Sequence, residues 1–188
     1  MALQVSEART VDELVAACRR GGRPKFVHFW GHRARPDGQL GASCFSQWWP
    51  APFESEGEVF ASAEHYMMWR KAQLFGDAEA AAKVLEAASP GAAKTLGRSV
   101  RGFDEQVWVS HRWQIVVAAS VGKFGSDPDL LTYLLGTGNR VLVEASPVDR
   151  IWGIGLTGDH EHATVPELWR GLNLLGFALM EARDRLRP

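Results

Sequence analysis

The spacing of helix-capping residues constrains the fold of this chain more than any other feature of its sequence. Five such positions each precede a segment suited to a helix: Thr10, Ser62, Asp77, Asp104 and Asp127. A hydroxyl or carboxylate at an N-cap accepts a hydrogen bond from a first-turn amide, so each position predicts a helix start. So many starts within 188 residues indicate a mainly helical protein.

Glycine and proline residues mark where these helices end, because both interrupt a helical pattern. We predict helices over residues 10–21, 63–75, 77–89, 90–98, 104–122, 129–135 and 166–186. The last prediction depends on leucines at helical spacing after Pro166, and the segment contains Gly171 and Gly176. Each glycine costs a helix about 1 kcal/mol relative to alanine, a cost that close packing of another element would offset.

The predicted strands are few and short. Residues 25–30 and 141–145 are rich in aromatic or β-branched side chains, which are typical of strands. Glu56 and Gly57 predict a turn between an extended aromatic segment and a return strand at 59–61. Strands and helices do not alternate regularly, which argues against a doubly wound parallel sheet. The predicted fold class is therefore mainly α with a few short β-strands (α+β), in a single domain.

Composition and charge limit the classes of function. The net charge of −1 argues against a large basic surface for long nucleic acids, although one or two arginines suffice for a small anion. No segment approaches the ~20 apolar residues of a membrane span, and residues 1–20 do not resemble a secretory signal, so we expect a cytoplasmic protein. The two cysteines, Cys18 and Cys44, are expected to be reduced thiols. The chain also has eight tryptophans, some of which could stack on a heterocyclic ligand.

The segment from Ser62 to Lys71 carries the most suggestive pair of charged residues. On a helix Glu64 and Lys71 share one face, because seven residues make nearly two turns. A carboxylate and an ammonium on a partly apolar face can have shifted pKa values and act in catalysis. The alternative is a surface edge on which both charges are solvated.

Two further groups of residues could bind a ligand. Trp108 and Arg112 lie one helical turn apart, and such a pair could stack on a base and hold a phosphate. Lys94 and Arg98 have the same spacing. The alternative for both pairs is ordinary half-buried packing.

The segment 149–155 combines an acid, a tryptophan and glycines. Gly153 and Gly155, after Asp149 and Trp152, permit close approach of the backbone to a ligand, and the alternative is a tight structural turn. His160 and His162 resemble a metal pair, but no third ligand is clustered with them, so no metal site is predicted.

Taken in order along the chain, these segments resemble the YbiA/NADAR family. The resemblance covers about residues 26–186. Its most specific blocks are Glu64-His65-Tyr66 with Lys71-Ala72, and Ile151-Trp152-Gly153-Ile154-Gly155-Leu156. Further matches are Phe45-Ser46, Pro50 to Phe53, Asp77, Ala93-Lys94, Gly97-Arg98, Trp108, Arg112, Lys123-Phe124, Leu135, Thr137-Gly138, Glu144-Ala145, Asp149, Trp169 to Gly171 and Asn173 to Gly176. The sequence departs from the family at Gln47-Trp48-Trp49, where an asparagine and two smaller aromatic residues are usual. Residues 1–25 lie outside the resemblance and are expected to form an N-terminal helical extension.

The resemblance implies a mainly helical N-glycosidase domain over 26–188 that hydrolyses the N-glycosidic bond of a ribosyl phosphate compound. It implies two substrate classes: early intermediates of riboflavin biosynthesis (ribosylaminopyrimidine 5′-phosphates), or ADP-ribose attached to guanine in nucleic acid. No cofactor, metal or membrane is expected, and the oligomeric state stays open. The alternative function is a non-catalytic module that binds ADP-ribose or a related nucleotide.

The resemblance also implies roles for individual residues. Glu64 and Asp149 are the candidate catalytic carboxylates, and Lys71 is either an acid or a nucleophile that forms a Schiff base. The candidate substrate-binding residues are Arg98 and Arg112 for phosphate, Trp108 and Trp152 for stacking, and Gly153 and Gly155 for backbone approach.

Overall fold

The computed structural model describes residues 4–188, and the chain divides into two compact units. Of the described residues, the first unit consists of 4–46 with 132–188, and the second consists of 47–131. The fold is mainly helical with a few short strands, as predicted from the sequence. Within the described chain, no helix is both long enough and apolar enough to cross a bilayer.

The first unit is built on a parallel pair of strands. Strand β1 (Phe26–Phe29) pairs with β4 (Val141–Glu144) in a register that places Phe26 opposite Val141. Helix α7 (Leu174–Arg185) packs on β4, and helix α1 (Val11–Arg19) packs on a short 3₁₀ turn at Pro166–Leu168. A second 3₁₀ turn, Ala42–Phe45, lies against β1 and was not anticipated from the sequence.

The second unit contains an antiparallel hairpin and a group of helices. Strand β2 (Phe53–Ser55) pairs with β3 (Glu58–Phe60) across the turn at Glu56 and Gly57. Both turn residues have positive φ, of 54° and 81°. The helices are α2 (Ala63–Leu74), α3 (Ala78–Leu85), α4 (Pro90–Arg98) and α5 (Glu105–Gly125), while α6 (Pro128–Leu135) crosses the boundary at residue 131.

Helix capping explains why the sequence located most helix starts correctly. The side chains of Thr10, Ser62, Asp77 and Asp104 each accept a hydrogen bond from an amide in the first turn of their helix. Asp127 does the same for α6, accepting from the amides of residues 129 and 130. These interactions are local, so each could be predicted from a few consecutive residues.

The predicted helix over 166–186 was wrong in its first half. Only Pro166–Leu168 forms a 3₁₀ turn, and α7 does not begin until Leu174. Asn173 has a left-handed backbone conformation with φ of 52°, which a continuous helix does not permit. A Cβ at Gly171 would overlap the carbonyl oxygen of Gly153, so a tertiary contact determines the conformation of this segment.

Asn173 joins the start of α7 to strand β4. Its side-chain oxygen accepts a hydrogen bond from the amide of Glu144 (2.9 Å), and its side-chain nitrogen donates to the carbonyl of Leu142 (2.9 Å). The asparagine amide thereby pairs with β4 as a neighbouring strand residue would. A Cβ at Gly176 would overlap the Leu142 carbonyl oxygen, so β4 makes the close approach that offsets the cost of a glycine in this helix.

We therefore expect Gly176→Ala to lower the free energy of unfolding by roughly 2 kcal/mol, because the added methyl must displace backbone atoms of β4. A matched control is Gly91→Ala in α4, where the new Cβ would lie 3.5 Å from the nearest Trp48 ring atom. The control should be neutral or stabilising, since alanine is the better helix former. Urea denaturation measures both, and equal stabilities of the two variants would contradict the packing argument.

Candidate functional site

Helix α2 is buried around almost its whole circumference. Every residue from Ala63 to Trp69 is buried, and the helix packs against α3, α4 and α5. On one side the rings of Phe60 and Tyr66 meet edge to face, with centroids 5.0 Å apart. A charged side chain in the first two turns of α2 therefore cannot reach bulk solvent without interrupting the packing.

Glu64 lies in the first turn of α2 and is only 3% exposed. Its amide donates to the carbonyl oxygen of Gln47 (3.0 Å). The helix N-terminus carries a partial positive charge, which favours a carboxylate in the first turn. The surface alternative for Glu64, with a fully solvated charge, therefore does not apply.

The start of α2 is held by Ser62 and His65. The Ser62 side chain caps the helix and lies 2.8 Å from Nδ1 of His65, while Nε2 of His65 lies 3.1 Å from the carbonyl oxygen of Ala87. All three residues of this first turn, Ser62, Glu64 and His65, are at most 3% exposed. This network fixes the backbone that carries the Glu64 carboxylate.

Lys71 extends from the other end of α2 into an aromatic environment. Its ammonium donates to the carbonyl oxygen of Gly97 (2.8 Å) and lies 4.1 Å from the ring centroid of Phe103 and 5.6 Å from that of Trp108. Burial lowers the pKa of Lys71; the Glu105 carboxylate opposes this shift and Arg98 adds to it. Seven residues of helix separate Lys71 from Glu64, which is about 10 Å along the axis.

The remaining predicted site residues of the second unit lie on α4 and α5. Arg98 ends α4 and is exposed, and Arg112 is half-buried on α5. Neither guanidinium makes an ion pair with the residues described in the structure, so both remain able to bind an anion. Trp108 is only 9% exposed, and its indole contributes to the surroundings of the Lys71 ammonium.

The segment 149–155 lies in the first unit and forms a turn organised by Asp149. One carboxylate oxygen accepts from the amides of Ile151 (2.9 Å) and Trp152 (2.8 Å). A Cβ at Gly153 would lie 2.7 Å from the carbonyl oxygen of Glu144, and Gly155 has a φ of 69°. Both glycines are therefore required by the packing and conformation of the chain itself.

Comparison with known proteins gives the family. The NADAR domain family matches residues 28–187. The chain belongs to the NADAR family. It is 45% identical to N-glycosidase R617 of Acanthamoeba polyphaga mimivirus over 166 residues, which cover 85% of this chain and 95% of the viral protein. It is also 34% identical to the chloroplastic riboflavin biosynthesis protein PYRR of Zea mays, over 71% of this chain and 21% of that protein.

A solved structure supports the same assignment. The E. coli protein YbiA, determined by NMR, superposes with a TM-score of 0.68 at 25% sequence identity, over 99% of this chain and 93% of YbiA. With the relatives that are named N-glycosidases, this shows that the NADAR protein described here is an N-glycosidase. The YbiA/NADAR resemblance inferred from the sequence is confirmed.

Two buried polar residues of this NADAR protein were not chosen as site residues from the sequence. Lys123 on α5 is 1% exposed, and its ammonium lies 5.0 Å from the ring centroid of Phe124. Gln47 is 6% exposed, and its side-chain oxygen accepts no hydrogen bond from the described residues. For Lys123, the sequence signal of burial was a lysine within the apolar part of α5. Nothing local indicated the burial of Gln47.

The His160 and His162 pair does not form part of a metal site in the described chain. Their rings lie 5.1 Å apart, but no group of three histidine, cysteine, aspartate or glutamate side chains there could hold a metal ion. The amide of His162 instead donates to Nδ1 of His160 (3.1 Å). The pair helps to order its own loop.

We expect Ser62→Ala to lower the free energy of unfolding by about 1 kcal/mol, because α2 loses its N-cap. The exposed Ser99, whose hydroxyl donates to the carbonyl oxygen of Leu96 (2.9 Å), provides the control in the same unit. Ser99→Ala should change stability little, since water can replace its hydrogen bond. Urea denaturation of both variants tests the comparison, and an unchanged midpoint for Ser62→Ala would show that the cap contributes nothing to α2.

Proposed function

We propose that this NADAR protein hydrolyses the C1–N bond of a phosphorylated ribosyl compound and that Glu64 is a catalytic carboxylate. The observation that carries the proposal is the burial of Glu64 in the capped first turn of α2. A carboxylate removed from bulk water interacts more strongly with a developing charge than a solvated one does. The assignment of Asp149 as a second catalytic carboxylate stays a prediction.

Hydrolysis of this bond requires two kinds of assistance. Positive charge develops at C1 as the bond breaks, and an ionised Glu64 could stabilise it or accept a proton from the attacking water. The leaving nitrogen must gain a proton. Lys71 is our candidate for the donor, because a lowered pKa makes its ammonium a stronger acid than an ordinary lysine.

Lys71 is also our candidate for covalent catalysis. The same lowered pKa increases the fraction of neutral amine, which could attack C1. The amine would displace the base, which leaves with a proton, and the resulting glycosylamine would become a Schiff base as the bond from C1 to the ring oxygen breaks and that oxygen takes up the second amine proton. Water would then hydrolyse the Schiff base, releasing the sugar and the free amine. Arg98 and Arg112 are proposed to hold the phosphate, and Trp108 to contact the flat heterocycle. The assignment of Trp152 as a substrate-binding residue stays a prediction.

For the substrate, we propose an early intermediate of riboflavin biosynthesis, a ribosylaminopyrimidine 5′-phosphate. The similarity to the maize protein PYRR supports this class, and the net charge of −1 favours a small metabolite over a polymer. ADP-ribose attached to guanine is the other class to be assayed, in parallel and at matched concentrations. A cytoplasmic location, suited to either substrate, stays a prediction.

Glu64→Gln should reduce turnover at least about a hundredfold, because the amide keeps the shape of the side chain and removes its charge. Glu54→Gln, an exposed glutamate on β2 of the same unit, is the matched control and should retain the wild-type rate. Release of free base is the readout, and circular dichroism verifies folding. A Glu64→Gln enzyme that is folded and fully active on both substrate classes would remove Glu64 from the mechanism.

Borohydride trapping during turnover should place a reduced sugar on Lys71 if the Schiff-base route operates, and Lys71→Met should abolish that adduct. Peptide mass spectrometry locates the adduct. Lys83, exposed and paired with Glu79, is the control for nonspecific labelling. An adduct on Lys123 would transfer the nucleophilic role to that residue. Loss of activity in Lys71→Met with no adduct on any lysine would leave Lys71 as the acid, and wild-type activity of Lys71→Met would refute both roles.

A further inference from the structure

The first unit contains a basic pocket whose lining residues were not assigned to catalysis or substrate binding. The pocket has a volume of about 590 Å³ and is lined by Gln4, Val5, Ser6, Arg23, Lys25, Thr137, Gly138, Asn139 and Arg140. Three of these side chains are cationic and none is acidic. The first five lining residues precede residue 28, where the match to the NADAR family begins.

The strand register brings two of the cations together. Phe26 pairs with Val141, so the preceding residues, Lys25 and Arg140, lie at the same edge of the parallel pair. The amide of Val141 donates to the carbonyl oxygen of Lys25 (2.8 Å), which fixes this alignment. The positive charges of Lys25 and Arg140 repel each other, and an anion bound between them would offset that repulsion.

The three cationic side chains differ in the hydrogen bonds and ion pairs that they already make within the protein. Arg140 donates to the carbonyl oxygens of Thr137 (2.9 Å) and Gly136 (2.9 Å). Arg23 and Lys25 are both exposed, and neither makes an ion pair with any residue between 4 and 188. Their donors are therefore available to a ligand.

A buried arginine lies directly behind the pocket wall. Arg183 is fully buried, and its Nη1 donates to the hydroxyl of Thr137 (2.8 Å) and the carbonyl oxygen of Arg140 (2.9 Å). Its Nε and Nη2 have no hydrogen-bond partner in the described structure. Burial lowers the pKa of Arg183 to about 10, so the side chain still carries its positive charge at neutral pH. The carboxylate of Asp184 favours that charge, whereas Arg187, Arg9 and Arg140 oppose it.

We propose that this pocket binds a phosphate group through Arg23, Lys25 and Arg140, with Arg183 adding positive charge behind the wall. A phosphate dianion accepts several charge-assisted hydrogen bonds and would offset the concentration of positive charge. The phosphate could belong to a small metabolite or to a nucleic acid strand, because the pocket chemistry is the same for both. The site would give the enzyme a second point of contact with phosphorylated molecules.

The test is a titration of the full-length protein with inorganic phosphate at constant ionic strength, followed by amide NMR spectra. We expect the Gly138 and Asn139 signals to shift and saturate. Arg23→Ala/Lys25→Ala should weaken this binding at least about tenfold, or about 1.4 kcal/mol. The control Arg33→Ala/Lys83→Ala removes the same residue types from exposed positions elsewhere and should bind as the wild type does.

Two further titrations identify the kind of molecule that carries the phosphate. Ribose 5-phosphate and a short single-stranded oligonucleotide are titrated separately against the same signals. Saturable shifts with either one that are lost in Arg23→Ala/Lys25→Ala support the site and name its source. Absence of shifts at Gly138 and Asn139 with all three probes overturns the proposal. Equal affinity of wild type and Arg23→Ala/Lys25→Ala also overturns it.

Discussion

The burial of helix α2 on nearly all sides is the constraint on which the second unit depends. The first two turns of this helix, surrounded by α3, α4, α5 and the hairpin, have no face on which a charged residue can be fully hydrated. The two charged candidate residues, Glu64 and Lys71, are stabilised in different ways because they lie near opposite ends of the helix. Glu64 lies in the capped first turn, where the helix dipole favours a carboxylate. Lys71 is near the C-terminal end, where a cation is favoured, and its ammonium reaches a carbonyl oxygen and two aromatic rings.

The surroundings of Lys71 have opposing effects on its charge. Aromatic rings and the Gly97 carbonyl stabilise an ammonium, whereas burial and Arg98 favour the neutral amine. The net result is a lowered pKa, so desolvation outweighs the favourable contacts. A lysine balanced in this way can release its proton more readily than a solvated one. This property suits both an acid and a nucleophile.

The sequence predicted the features that depend on residues close together in the chain, and it did not predict those that depend on residues far apart in the chain. Caps such as Ser62 act within one turn, and the turn at Glu56 and Gly57 depends on two residues, so both were predictable. The first half of the last predicted helix was wrong because Asn173 is held by β4, about thirty residues away in sequence. For the candidate site, the sequence placed Glu64 and Lys71 on one helix. Their burial and the contacts of Lys71 with Gly97 and Phe103 arise from tertiary packing, which helical periodicity does not report.

Burial of a charged side chain is common to Glu64 and Arg183. Transferring a carboxylate or guanidinium out of water costs several kcal/mol, and an apolar side chain of similar size would often give a more stable protein. Glu64 and Arg183 are both almost fully buried, so neither is explained by stability alone. Glu64 lies in the capped turn of α2 of an N-glycosidase, and breaking an N-glycosidic bond develops positive charge at C1 of the sugar. Arg183 lies behind a pocket that has three cations and no acid, and an anion bound there would lower the cost of burying it.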